Sequence, residues 1–353
     1  MTAEHPAPSG ARKSRLILLV WSVIIAGAII WQVLPERATP PPPGWGAWKG
    51  IGSILGIAVT GKGVYAGGSK GLFLIEPGGS VRQVAIPGME GQGMVYSVIA
   101  TRDGAVWVGH EKGLSLLRGS TWTTLTSGDG LPRGAVRTVA PTRDGNIWIG
   151  TDNGAARMPL SGPWDRSSIT VVTGRDGLLN SAVSALLEDG EGGMWFGNYV
   201  SHKGGLTRLR EKSSWRWTVR DGLPHPNITS LLLDRDGRVW AGCGFLDRGG
   251  AVVFGRSSGD WRLERTIPSG ELAGAKVRSL FQDSAGRVWL GSEQDGIAVR
   301  LGNRNLRVLT TADGLASQEV LSAAEAPDRS LWLGTSDGVN RIGPDALSTL
   351  FPR

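Results

Sequence analysis

The sequence predicts an all-β fold, a seven-bladed β-propeller of four-stranded blades, preceded by one N-terminal transmembrane helix. Three observations carry this prediction. A short aromatic phrase returns seven times, a strand precedes each copy at a fixed distance, and a single long apolar segment lies near the N-terminus. Successive aromatics are 41 to 49 residues apart, and a period of this length is typical of propeller blades.

The repeated phrase is an aromatic residue, one spacer and a glycine. Its seven copies are Tyr65-Ala66-Gly67, Trp107-Val108-Gly109, Trp148-Ile149-Gly150, Trp195-Phe196-Gly197, Trp240-Ala241-Gly242, Trp289-Leu290-Gly291 and Trp332-Leu333-Gly334. A large side chain can fill the space between two blades, so the regular return favours packing over stacking on a sugar. We expect the glycine to mark the point where the strand ends and the chain turns.

A β-branched residue stands twelve positions before each of the six repeat tryptophans and begins the first strand of a blade; in the first repeat Ile54 lies eleven before Tyr65. In the second repeat Val95–Ala100 is followed by the turn Asp103-Gly104, which supplies the positive φ angles of a tight hairpin. Strands at 105–109, 114–117 and 122–126 complete the repeat. Four antiparallel strands make one propeller blade, here named A to D in chain order.

The chain begins with a polar tail at 1–15 that ends in Arg12, Lys13 and Arg15. Residues 16–34 carry no charge, and about 20 apolar residues span a bilayer as a helix. The positive flank predicts a cytoplasmic N-terminus, a single pass through the inner (cytoplasmic) membrane, and a propeller in the periplasm or outside. A cleaved signal peptide ending near Ala26-Gly27-Ala28 is the alternative.

A Pro-rich linker at 35–44 separates this segment from the propeller at 45–353. Ring closure requires one end of the chain to complete the last blade. We expect 346–351 to supply its fourth strand, while Trp45-Gly46-Ala47-Trp48 could supply it instead.

Composition excludes several classes of function. The net charge is +7, but no basic run alternates with aromatics, so nucleic-acid binding is not expected. The one cysteine, Cys243, allows neither an intramolecular disulfide nor a cysteine metal site. No metal-binding spacing such as His-Glu-x-x-His occurs, and we expect no metal, no cofactor and no enzyme activity. The recurrent carboxylates are expected to form turns; they are Asp129, Asp176, Asp221 and Asp313.

The repeats resemble those of the two-component regulator propeller family. The stretch 142–151 reads Thr-Arg-Asp-Gly-Asn-Ile-Trp-Ile-Gly-Thr, and Asp-Gly-Leu recurs between blades. The resemblance implies the extracytoplasmic sensor part of a hybrid two-component kinase. Here the apolar segment precedes the propeller and nothing follows Arg353. We therefore expect a membrane-anchored module that senses a ligand or binds a partner, without its own kinase.

Residues that interrupt the repeat are the candidate binding site, because loops on a rigid scaffold commonly bind ligands. In a propeller the B–C and D–A connections surround the same mouth of the central channel. The candidates in these connections are Tyr199, His202, Lys203, Phe245, Asp247, Arg248, Asn180, His225 and Asn227. The simpler interpretation is that the sequence of these exposed loops varies by drift and that the residues bind nothing.

The partner expected at this site is an unknown small molecule or glycan, or a membrane or periplasmic signalling protein. Two other functions stay open. Streptogramin lyase-like propellers use a histidine on one face, which would make His202 or His225 catalytic. A periplasmic assembly scaffold is the second alternative.

Overall fold

The computed structural model describes residues 41–89, 93–199, 203–245 and 248–352. The tail at 1–15, the transmembrane helix at 16–34 and most of the linker lie outside these ranges. Within the described ranges, no helix is both long enough and apolar enough to cross a bilayer.

Seven four-stranded antiparallel sheets form a propeller, as the sequence predicts. The first strand, β1 (Trp45–Trp48), precedes blade 1. The strands of blades 1 to 3 are β2 (Ile54–Thr60), β3 (Gly63–Gly68), β4 (Gly71–Ile75), β5 (Val81–Val84), β6 (Val95–Ala100), β7 (Val106–His110), β8 (Gly113–Arg118), β9 (Thr121–Leu125), β10 (Val136–Pro141), β11 (Asn146–Thr151), β12 (Gly154–Pro159) and β13 (Thr170–Val172).

The remaining blades follow the same order. Their strands are β14 (Val183–Glu188), β15 (Met194–Asn198), β16 (Gly205–Arg210), β17 (Ser213–Trp217), β18 (Ile228–Leu233), β19 (Val239–Phe245), β20 (Arg248–Ser257), β21 (Asp260–Ile267), β22 (Val277–Gln282), β23 (Val288–Ser292), β24 (Ile297–Leu301), β25 (Arg304–Leu309), β26 (Val320–Glu325), β27 (Leu331–Thr335) and β28 (Gly338–Ile342). Each Asp-Gly-Leu phrase forms a turn, and Asp176 shows why: its carboxylate accepts from Thr173 N–H at 2.8 Å.

The N-terminal strand closes the ring, so the expectation of a C-terminal fourth strand is wrong. β1 pairs antiparallel with β28, with Trp48 opposite Val339, and the Trp48 ring stacks on Trp332 at 5.1 Å. The C-terminal segment instead forms α1 (Pro344–Leu350). Proline suits the first turn of a helix, where its missing N–H leaves no bond unmade.

The repeat tryptophans fill the spaces between blades. Trp107, Trp195 and Trp289 are at most 1% exposed. Trp195 contacts the rings of Trp217 in its own blade and Phe254 in the next. The Trp-x-Gly phrase is therefore a packing device.

The glycine of each phrase is required by the neighbouring blade, not by a turn. It lies within strand B, and a Cβ at Gly197 would come within 2.6 Å of Ile228 in the next blade. At Gly334 the same contact is with Ile54, across the closure of the ring. These β-branched residues are the ones that begin strand A, so the glycine of one blade and the first strand-A residue of the next form one contact. That residue lies twelve positions before the next repeat tryptophan, or eleven before Tyr65 in the case of Ile54.

In three blades the A–B turn begins with a buried aspartate that accepts from the repeat tryptophan. Asp283, 2% exposed, accepts from Trp289 Nε1 at 2.9 Å and from Arg287 Nε at 2.6 Å. Asp189 and Asp234 accept from their tryptophans in the same way. These carboxylates join the turn to the inter-blade core.

Candidate functional site

A β-bulge occurs at the second residue of strand A in all seven blades. In each, the register with strand B shifts between the first and third residues. A bulge leaves one residue unpaired and re-aims its side chain. These seven residues, one per blade, are here called the channel-mouth ring: Leu55, Tyr96, Arg137, Ser184, Thr229, Arg278 and Leu321.

The channel-mouth ring lines a cavity of 260 Å³, together with Tyr199 and Ile228. Because each blade contributes a residue, this cavity is the mouth of the central channel. The B–C and D–A connections surround the same end, as the sequence predicts. Gly244 N–H, for example, donates to the Asn227 carbonyl at 3.0 Å.

Four side chains at the mouth contact one another and are here called the Arg137 cluster: Tyr96, Arg137, Asp152 and Tyr199. The Arg137 guanidinium lies over the Tyr96 ring at 4.1 Å and near the Tyr199 ring at 5.7 Å, measured to the ring centroids. Its Nε donates to Asp152 Oδ1 at 2.8 Å, and Tyr199 OH donates to the same oxygen at 2.7 Å. The cluster thereby joins blades 2, 3 and 4.

Electrostatics keep the Arg137 cluster in one protonation state near neutral pH. Burial favours a higher pKa for Asp152, but hydrogen bonds from Arg137, Tyr199 and the Ala135 N–H lower it below the usual value. Burial, followed by the hydrogen bond to Asp152, raises the pKa of Tyr199. Asp152 is therefore ionised and Tyr199 is a neutral donor, so both hold Arg137 in place.

A second arginine stands three blades further round the ring. Arg278 Nε lies 3.3 Å from Glu319 Oε1, and both side chains are partly buried. Burial raises the pKa of Glu319 although the charge of Arg278 opposes the shift, and the nearby Glu293 adds to the increase. Glu293 in turn pairs with the buried Lys276 at 2.5 Å. Charges of both signs thus alternate along this side of the mouth.

The predicted site residues take several positions. Tyr199 lines the mouth. Asn180 supports its own loop, because its carbonyl accepts from Asn198 Nδ2 at 2.7 Å and its Oδ1 accepts from Ala182 N–H at 2.9 Å. Lys203 and Arg248 are exposed. His202 and Asp247 lie outside the described residues.

His225 and Phe245 lie close together at the rim of blade 5, with ring centroids 6.5 Å apart. His225 Nδ1 accepts from the Asn227 N–H at 3.0 Å. Burial lowers the pKa of His225, and the charges of Lys276 and Arg248 lower it further. Among the described residues no carboxylate hydrogen-bonds either nitrogen of this ring, so nothing there orients it as a catalytic base.

Reasoning from interrupted repeats did not identify Tyr96, Arg137, Asp152 or Arg278. The signal that could have found three of them is positional. Each follows directly after the β-branched residue that begins strand A. That position varies from blade to blade while its neighbour stays Val or Ile.

A larger cavity of 1020 Å³ opens at the opposite face, between the A–B turns of blades 2 to 4. Four of its charged side chains are paired, the exposed Arg118 with Asp103 and the exposed Arg143 with the partly buried Glu188. Ion pairs with exposed side chains contribute little to the stability of a surface. The channel mouth is smaller, but its polar groups are partly buried and converge.

Metal ligation is not indicated in the described part of the chain. There, no group of three or more His, Cys, Asp or Glu side chains is arranged to hold a metal ion. The buried Cys243 thiol has its pKa raised to about 12 by burial, so it is not poised as a thiolate.

The sequence carries four matches to the family model of the two component regulator propeller, at residues 130–153, 177–200, 222–245 and 271–294. These matches confirm the resemblance seen in the repeats. No curated protein matches the sequence.

Solved structures share the fold. The extracellular domain of a B. thetaiotaomicron protein described as a hybrid two component system has 18% identity and a TM-score of 0.72, over 89% of this chain and 42% of that one. A second such domain, described as a one component system, has 18% identity and a TM-score of 0.68, over 85% and 40%. The chain thus spans less than half the length of either domain.

An enzyme has the same architecture. Virginiamycin B lyase from Staphylococcus aureus has 15% identity and a TM-score of 0.63, over 85% of this chain and 98% of the lyase. At these identities all three likenesses establish the fold alone. The function must be argued from the channel mouth.

Proposed function

We propose that the chain is the ligand-binding propeller of an extracytoplasmic sensor, and that the channel mouth is its binding site. The observation that carries the proposal is the Arg137 cluster. Its guanidinium lies against two aromatic rings and is held by a carboxylate that also accepts from Tyr199 OH and the Ala135 N–H. Polar groups ordered in advance around a small cavity are the usual form of a ligand site.

Binding suits these residues better than catalysis. Arg137 stays charged at any physiological pH, and Asp152 is engaged by three donors, so neither is free to move a proton. The lyase alternative depends on His202 or His225, and among the described residues the hydrogen bond to the His225 ring comes from the backbone N–H of Asn227. A sensing or partner-binding propeller is therefore the function that the site supports best.

The proposed location is the outer side of the cytoplasmic membrane, with residues 16–34 as a single-pass anchor and the N-terminus inside. The apolar run and its positive flank support this topology. Protease added to spheroplasts should then degrade the propeller and spare an N-terminal tag. Protection of the propeller, or its release without the tag, would contradict the anchor.

Thermal unfolding of the purified full chain tests the binding function. A ligand of the native state stabilises it by about 2.7 kcal/mol when present at a hundredfold excess over Kd. A panel of glycans, organic acids and amino acids should contain compounds that raise Tm in the wild type and not in Arg137→Gln. Arg157→Gln is the matched control, because Arg157 pairs with Asp144 on the other face.

The partner-binding form of the proposal makes a different prediction. Crosslinking from Tyr199 or Phe245 in native membranes should then capture one protein, while no compound in the panel raises Tm. If neither a compound nor a protein engages the wild-type mouth, the proposed function is wrong.

A further inference from the structure

The channel-mouth ring has two chemically different arcs. Blades 7, 1 and 2 contribute Leu321, Leu55 and Tyr96, and blades 3 to 6 contribute Arg137, Ser184, Thr229 and Arg278. An apolar wall therefore faces a wall that carries two guanidinium groups. A ligand that satisfies both must have a charged end and an apolar body.

The contacts of Arg137 determine which part of its guanidinium can meet a ligand. Asp152 takes the Nε–H, and the rings of Tyr96 and Tyr199 lie against the guanidinium. Among the described residues no group accepts a hydrogen bond from either Nη atom. The edge left for a ligand is the one that presents parallel N–H groups, which fits a carboxylate in a bidentate manner.

The hydroxyls of the polar arc are already used between blades. The single proton of Ser184 Oγ is directed to the Ile228 carbonyl of the next blade at 2.6 Å, with the Gly197 carbonyl at 3.0 Å, and Thr229 Oγ1 donates to the carbonyl of Val277. These two side chains therefore have no donor left for a ligand. Arginine supplies the donors that remain on this arc.

The charge balance of the mouth argues against recognition of a bare inorganic ion. Asp152 neutralises Arg137 and Glu319 neutralises Arg278, so no large positive field gathers anions. Selectivity must therefore come from the planar geometry of the Arg137 guanidinium and from contact with the apolar side chains of the ring. The cavity of 260 Å³ lies just below the range of about 300–1,000 Å³ typical of small-molecule sites, so it suits a compact ligand.

We propose that the channel mouth binds a small organic monocarboxylate of about ten non-hydrogen atoms, with its carboxylate on Arg137 and its apolar body against Leu55 and Leu321. The inference rests on the proposed function, since it assumes that the channel mouth is the ligand site. It adds the chemical class of the ligand and the residues that select it.

The test uses the full chain and two matched probes, phenylacetate and phenylacetamide, which have the same shape and differ in charge. Phenylacetate should bind in calorimetric titrations, and the amide should bind at least tenfold more weakly because it cannot form the charge-assisted pair. Acetate and sulfate should also bind more weakly than phenylacetate, because they lack the apolar body.

Variants test which side chains contact phenylacetate. Arg137→Lys keeps the positive charge beside Asp152 but loses the planar fork, so we expect at least a tenfold loss of phenylacetate affinity with an unchanged Tm. Arg157→Gln should bind as the wild type does. Leu321→Asn should weaken phenylacetate and leave acetate unaffected.

Equal binding of acid and amide, or full affinity in Arg137→Lys, would overturn the carboxylate inference. So would the absence of any phenylacetate binding. A neutral compound that binds the wild type and loses affinity in Arg137→Gln would leave the channel-mouth site standing and reject only the ligand class. The two proposals can therefore fail separately.

Discussion

Acidification should destabilise the propeller through His110, a buried histidine with no part in the proposed site. His110 ends β7 and is 1% exposed. Its Nδ1 accepts from the Lys112 N–H at 3.3 Å, so the proton resides on Nε2, which donates to Ser115 Oγ at 2.9 Å. Ser115 is bonded in turn to Thr124 Oγ1 at 2.8 Å. Only the neutral ring satisfies all of these contacts.

The magnitude follows from the shift in pKa. Burial, and then the charge of Lys112, lower the pKa of His110 to about 4, against 6.5 for the unperturbed side chain. Below pH 6.5 the His110 ring of the unfolded chain binds a proton, whereas the ring in the folded protein stays neutral until about pH 4. Stability is therefore complete above pH 6.5 and is lost progressively down to about pH 4. The full effect is about 3 kcal/mol, at 1.36 kcal/mol for each pKa unit.

Urea unfolding of the wild type and of His110→Asn at several pH values measures this contribution. Asparagine Oδ1 can still accept from the Lys112 N–H, and the variant has no group that titrates in this window. The stability of the wild type should fall more steeply between about pH 6.5 and about pH 4 than that of the variant. Parallel curves for the two proteins would refute the assignment to His110.

Three further predictions concern the turns, the site and the closure of the ring. Asp283→Ala should cost at least about 3 kcal/mol in urea unfolding, because it leaves the mostly buried Arg287 guanidinium and the buried Trp289 N–H without their acceptor, whereas the exposed Asp236→Ala should cost no more than about 1 kcal/mol. Asp152→Asn should weaken phenylacetate binding severalfold with little change in Tm, and unchanged affinity would show that this carboxylate does not position the arginine. Deletion of residues 1–48 should abolish a single cooperative calorimetric transition, while deletion of residues 1–40 should preserve it; equal transitions would argue that the outer strand of blade 7 is dispensable.

The fold could be predicted from the sequence because every boundary between blades requires the same residue types at the same positions. The glycine after Trp195 must admit Ile228, and the same pair recurs at every boundary between blades. The closure could not be predicted by counting, since both ends of the chain carry short apolar segments. The spacing of Leu347, Leu350 and Phe351 is helical, and this pattern, with Pro344 before it, was the available signal for α1.

The candidate site was harder to predict, because a bulge leaves no trace in a two-residue alternation. Alternation alone would assign Arg137 and Arg278 to the outward side of ordinary strands. A shift in register turns them toward the channel, and this shift depends on the packing of the whole ring. Interrupted repeats did point to the face on which the channel mouth opens, and Tyr199 lines the mouth from one of them. Its hydroxyl shares an oxygen of Asp152 with Arg137.

The Arg137 cluster also shows why a propeller could report a ligand without a lid or hinge. Its contacts already join blades 2, 3 and 4, and Arg278 with Glu319 joins blades 6 and 7. A carboxylate on Arg137 whose body rests on Leu55 and Leu321 would connect these two groups of blades across the channel. The free energy of binding would then oppose separation of the blades, which links occupancy of the mouth to the stability of the whole ring.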